Sequence, residues 1–149
     1  MPAGSTTGAN QALTVARFSL TIDGIEIGQF SELGGIVSEV ELTEPPGDEL
    51  FAKKLPGRRK PPTVTLRRGK NKDMGIFAWH QSVVEGRLRE VRKDCAVTMY
   101  APDGTPTARY HLESAWPSKV EISALKAGGN GVLYETVTLT CEDIQRVAP

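Results

Sequence analysis

Val15-Ala16-Arg17-Phe18-Ser19-Leu20-Thr21-Ile22-Asp23-Gly24-Ile25 decides the fold class. Ala16, Phe18, Leu20 and Ile22 fall on one parity and Val15, Arg17, Ser19 and Thr21 on the other, the period of a half-buried strand. Asp23-Gly24 then supplies the two residues that tolerate positive φ, as a type I′ hairpin turn requires. A second strand is expected over Ile25–Phe30, with a bulge at Gly34-Gly35 and a continuation over Ile36–Leu42.

Working outward, residues 43–62 hold five prolines (Pro45, Pro46, Pro56, Pro61 and Pro62) and two glycines. Such a segment cannot run through the interior of a sheet, so 42–62 is expected to project as a loop. Thr63–Leu66 reads as a short strand. Asp73 is placed to cap the one expected helix, in which Phe77, Gln81, Val84 and Leu88 recur at helical spacing. Cys95, Val97 and Met99 alternate in a further strand, Pro102-Asp103-Gly104 turns the chain, and Ala108, Tyr110, Leu112 and Trp116 alternate in the next. The last expected strand, Val132–Cys141, puts Leu133, Val137, Leu139 and Cys141 on one face and Tyr134, Thr136, Thr138 and Thr140 on the other. Six or seven strands with a single helix predict a mainly β protein, a small β-barrel or sandwich with one flanking α-helix.

The 149 residues, 39% hydrophobic and 24% charged, suffice for one domain with a single core. Residues 1–12 are small and polar and are expected to form a flexible N-terminal arm; residues 13–149 form the single domain. Eighteen basic and eighteen acidic residues give a formal net charge of zero. Neutrality provides no global field for nucleic acid or an anionic membrane, and no repulsion between copies. The beginning of the chain lacks the n- and h-regions of a secretory signal, and no apolar run approaches a bilayer span, so synthesis in the cytoplasm without membrane insertion is expected.

Little in the chain promises chemistry. His80, His111, Cys95 and Cys141 show no CxxC or HxxxH spacing, so neither a metal nor another cofactor is expected. Both cysteines fall on apolar faces, where a thiol is inert packing. Gly34-Gly35 and Gly128-Gly129-Asn130-Gly131 lack the companions of a phosphate-binding loop. The chain reads as a non-enzyme.

The distribution of charge says more than its total. Residues 39–49 contain five acids and no base, whereas 53–72 contain nine bases and no acid. The basic run has no interleaved aromatics for base stacking, and the neighbouring acids repel a phosphate backbone, so an OB-like nucleic-acid-binding barrel is the alternative reading and direct nucleic-acid recognition is not expected. The favoured reading sets the two runs against each other on successive copies of the chain, in a head-to-tail contact. Candidate contact residues are Glu39, Glu41, Glu44, Asp48, Leu50, Phe51, Lys54, Arg58, Arg59, Lys60, Arg67 and Arg68. On this reading, reversing Arg67 and Arg68 together leaves a folded monomer that cannot stack.

Several segments in order carry a resemblance. Phe18–Gly24, then Gly28-Gln29-Phe30-Ser31-Glu32-Leu33-Gly34-Gly35 and Glu39-Val40-Glu41 resemble the opening of the tail tube proteins of contractile phages and of phage-tail-like injection systems. Lys54-Leu55-Pro56-Gly57-Arg58-Arg59-Lys60, Val64-Thr65-Leu66-Arg67-Arg68-Gly69, Phe77-Ala78-Trp79-His80, Trp116-Pro117 and Glu135–Leu139 continue it, so that it spans residues 15–145. Pro45-Pro46 stand where related chains tend to be aromatic or to carry Arg. The resemblance implies the Hcp-like tube fold and a structural role: six copies close a ring, and rings stack into a hollow tube that a contracting sheath drives through a target envelope. It further implies that the 42–60 loop reaches a neighbouring ring and that sheath, baseplate and tube-cap proteins are partners. A lumenal cargo and a place in a phage tail or a particle released by lysis belong to the same implication.

Overall fold

The computed structural model describes residues 15–44, 54–69, 74–124 and 133–149. Among the described residues, ten strands and two helices follow one another: β1 (Arg17–Ile22), β2 (Ile25–Phe30), β3 (Glu32–Val37), β4 (Val40–Thr43), β5 (Leu55–Arg59), β6 (Thr63–Gly69), α1 (Gly75–Val84), α2 (Leu88–Val91), β7 (Lys93–Tyr100), β8 (Pro106–Ala124), β9 (Leu133–Thr140) and β10 (Asp143–Val147). The main sheet runs β2-β1-β7-β8-β9-β6-β3, with β10 also paired to β8, and β4-β5 form a separate two-stranded sheet. Among the described strands every pairing is antiparallel.

The opening hairpin forms as its residues dictate, with Asp23 and Gly24 at φ 52° and 78°. Beyond it the chain breaks at Ser31 instead of continuing. β2 and β3 therefore lie at the two ends of the strand path, and the Ser31 N–H bonds to Arg67 O at 3.1 Å. The glycine bulge falls where expected, as a register shift between Leu33 and Gly35 opposite β6. β8 is the strand that joins the two halves of the sheet. Its first half pairs with β7 and β10 and its second with β9, and between them Ser114 takes φ 50° while its N–H bonds to Asp94 Oδ1 at 3.0 Å. Val132–Cys141 is not the end of the regular structure, because β10 follows.

Leu20, Phe30, Val64, Leu66, Val97, Leu112, Val137 and Leu139 fill the core. Alternation along β6 and β9 builds it, since Val64 faces Leu139 and Leu66 faces Val137 on the inward parity. The helix forms, but with a different face inward: Ile76 and Trp79 are buried, while Phe77 and Val84 are exposed. Apolar residues occupy positions 76, 77, 79, 83 and 84, so spacing alone fits two faces. Pinning decides between them. The Trp79 indole N–H bonds to Val91 O at 2.7 Å, and His80 Nδ1 lies 2.9 Å from Pro117 O on β8. Asp73, the expected cap, lies outside the described residues, and Met74 occupies the N-cap position without a side-chain bond. The four-residue α2 was not anticipated.

Candidate functional site

The described flanks of the expected 42–62 loop pair as a ribbon. Among the described residues β4 and β5 pair only with each other, and all of their residues except Gly57 are exposed. Gly57 is required there: a β-carbon would lie 2.7 Å from Thr43 Cγ2 and 2.9 Å from Glu41 O. Val40, Leu42 and Leu55 are 47, 67 and 47% exposed, so the ribbon displays apolar side chains it cannot cover itself. A two-stranded sheet without a packed face is marginal in water.

The candidate contact residues divide by environment. Glu39, Glu41, Glu44, Lys54, Arg58, Arg59 and Lys60 are exposed on or beside the ribbon. Asp48, Leu50 and Phe51 lie outside the described residues. Two of these charges close pairs within the chain: Lys60 Nζ stands 3.4 Å from Glu39 Oε2, and Arg59 Nη2 stands 2.7 Å from Asp143 Oδ1 on β10. The hydrogen bond from Arg59 holds the Asp143 carboxyl below its ordinary value. This pair ties the foot of the ribbon to the main sheet. Exposed pairs of this kind are screened by water, so they orient the ribbon more than they stabilise it.

Contrary to the sequence expectation, Arg67 and Arg68 do not form a surface pair. Successive strand residues point to opposite faces. Arg67 lies outward, 3.5 Å from Glu32 Oε2 and 4.2 Å above the Tyr134 ring. Arg68 points into the core, where it is 5% exposed, and its Nη2 lies 3.3 Å from Glu135 Oε1. Its guanidinium also stands 5.1 Å above the Phe30 ring, and a β-carbon at Gly28 would meet it at 3.1 Å. Glu135 was legible in principle: it shares the parity of Val137 and Leu139, an acid in an apolar register, and only a buried cation makes that tolerable.

Other candidates for chemistry resolve into structure. Cys95 and Cys141 are buried, and burial pushes their thiols up to about 12 and about 11. His111 is exposed and His80 half-buried against β8. Among the described residues, no three His, Cys, Asp or Glu side chains gather in a metal-binding group, and no helix is long and apolar enough to cross a membrane.

Solved structures show the same fold. The fold is that of tube proteins of contractile injection systems: it matches a chain of the extracellular contractile injection system PVC sheath-tube complex in its extended state, with TM-score 0.76, 20% identity and all of both chains covered. A chain of the anti-feeding prophage (AFP) baseplate matches with TM-score 0.70 and 18% identity, over 93% of this chain and 97% of that one. Hcp1 from Flavobacterium johnsoniae matches with TM-score 0.53 and 15% identity, over 89% and 95%. Residues 14–145 match the profile of the T4-like virus tail tube protein gp19 family, and the chain belongs to that family. By family it is thus a tail tube protein. A comparison with curated proteins returns no match. Nothing in these findings supports the nucleic-acid-binding alternative.

Proposed function

We propose that this chain is the repeating subunit of the inner tube of a contractile injection system or phage tail. Six copies close a ring, rings stack into a hollow tube, and sheath, baseplate and cap proteins complete the particle that drives the tube through an envelope. The observation that carries this reading is the β4–β5 ribbon, a two-stranded sheet with bare apolar side chains on a chain whose family builds tubes. Covering Val40, Leu42 and Leu55 on a neighbour removes their apolar surface from water and gives the ribbon the packed face it lacks. Proline flanks reduce the entropy lost when it docks.

Two further features support repeated self-contact. β2 and β3 end the strand path and present edges to which another copy can add. Zero net charge removes long-range repulsion between copies. In this reading the outward charges Glu41, Glu44, Lys54, Arg58 and Arg67 set register, and the hollow tube leaves room for cargo.

Negative-stain electron microscopy of the purified chain over a concentration series, with size-exclusion chromatography alongside, tests the proposal. Rings or tubes of uniform width are expected. A chain that stays monomeric at every concentration, even when seeded with purified baseplate, refutes it.

A further inference from the structure

Burial singles out two cations of the chain. Among the described lysines and arginines, Arg17, Arg67, Arg68 and Arg109 are buried or half-buried, and the rest are exposed. Arg67 and Arg68 meet the carboxylates of Glu32 and Glu135. Among the described residues, Arg17 and Arg109 close no ion pair. A charge drawn out of water without a counter-charge is costly, so these two positions call for an account that the fold does not supply.

Both lie on the outward face of the sheet and lean on the same strand. Arg17 on β1 stands opposite Tyr100 on β7, with its guanidinium carbon 4.2 Å from the ring centroid. Arg109 on β8 stands opposite Thr98, and its Nε donates to Thr98 Oγ1 at 3.3 Å. Ser19 Oγ donates to the Tyr100 hydroxyl at 3.3 Å, and Ser19 and Thr98 are buried beneath the longer side chains. An aromatic ring and a neutral hydroxyl hold the two guanidinium groups in place without neutralising them. Two acids at the margin of this face are engaged elsewhere: Glu26 accepts from Gln29 Nε2 at 3.2 Å, and Asp103 Oδ1 accepts from the Thr105 N–H at 2.9 Å. Positions 98 and 100, where the cations rest, are about 7 Å apart along the strand, the repeat of alternate side chains on any extended peptide.

We infer that the outward face of β1, β7 and β8 binds an extended acidic segment of a partner protein, with alternate carboxylates on Arg17 and Arg109. A guanidinium takes a carboxylate through two parallel hydrogen bonds, and side chains already held in place lose little entropy on doing so. Arginine and tyrosine are also the side chains on which protein interfaces most often depend. Nucleic acid fits less well, because Arg17 covers the Tyr100 ring on which a base would stack and the chain has no net positive charge. The surface lies apart from the β4–β5 ribbon and does not depend on the tube reading.

Fluorescence anisotropy of the full chain with a fluorescein-labelled twelve-residue peptide of alternating glutamate and serine tests the inference. Wild type is expected to bind it with an affinity that falls as salt rises, and not to bind the same peptide with glutamine in place of glutamate. The variant carrying Arg17→Gln and Arg109→Gln is expected to bind about tenfold more weakly or worse, whereas Arg89→Gln, which changes an exposed cation on α2, leaves binding unchanged. Near-ultraviolet circular dichroism verifies that each variant is folded. A second measurement needs no variant: bound peptide is expected to slow phenylglyoxal modification of Arg17 and Arg109 in the wild-type chain, mapped by mass spectrometry, and to leave that of Arg89 as it was. Failure of wild type to bind, equal binding by the double variant, an equal loss in Arg89→Gln, or protection of Arg89 in place of Arg17 and Arg109 overturns the inference. An oligothymidylate of equal charge that binds as tightly assigns the face to polyanions at large. Self-association that the double variant abolishes and the peptide does not compete with assigns it to a second copy. Either result equally overturns the inference.

Discussion

Arg67 and Arg68 are adjacent in sequence and opposite in environment, and the difference sets what each does when changed. Arg68 is held in the core by Glu135, so Glu135→Ala, which removes a carboxylate from beside a buried cation, is expected to cost about 3–5 kcal/mol in urea unfolding. Arg67→Glu disturbs an outward pair 38 and 57% exposed and is expected to cost no more than about 1 kcal/mol. The double reversal that the sequence reading expected to leave a folded monomer instead places two carboxylates together in the core, and an unfolded chain is expected. At Asp143 the sign of the pH effect follows from the Arg59 bond. A carboxyl depressed in the folded state contributes stability above its unfolded value of 3.8 and loses it as pH falls through the folded one. Asp143→Asn should therefore melt lower than wild type at pH 7, and the two melting temperatures should converge as pH drops below 3.8. Alternation placed both cysteines correctly in the core. Their raised thiols predict that iodoacetamide at pH 8 labels neither in the folded protein and both in denaturant.

Elements that differ from the sequence reading differ for identifiable reasons. Helix α1 was legible as a helix but not in its orientation, because its apolar residues populate two faces and periodicity cannot say which of them a sheet will cover. Contact with β8 and α2 chose Ile76 and Trp79. The two faces predict opposite outcomes: Ile76→Ala is expected to lose about 2–5 kcal/mol in chemical denaturation, as for a buried aliphatic truncated in a core, and Phe77→Ala to lose far less. The Pro-rich stretch was read as a projecting loop, and its described flanks pair into a ribbon because Gly57 lets β5 lie close against Glu41 and Thr43. Leu42→Asp on this ribbon is expected to leave the melting temperature of the monomer within a degree or two, since about 0.5 kcal/mol is the usual limit for exposed positions. The same substitution should abolish rings and tubes in the electron microscope. β10 escaped the sequence reading because Asp143-Ile144-Gln145-Arg146-Val147 is short and polar, and only pairing with β8 makes it a strand.

For the whole molecule, assembly must draw on buried apolar area repeated over many copies, because the exposed ion pairs are individually weak. Raising salt screens those pairs and leaves burial intact. Tubes are therefore expected to persist in high salt with a modest rise in the concentration needed to form them, measured by sedimentation across a salt series. Local chemistry was sufficient to determine the strand parities, the Asp23-Gly24 turn, the glycine bulge and the inert thiols, because each depends on residues close together in the chain. Long-range packing alone decided that β2 and β3 part at Ser31 to opposite ends of the sheet path, that Arg68 meets Glu135, 67 positions away, and that α1 keeps an apolar face outward. Parity and turn chemistry are properties of neighbouring residues. Which face is covered, and by what, is set only when distant segments compete for the same core.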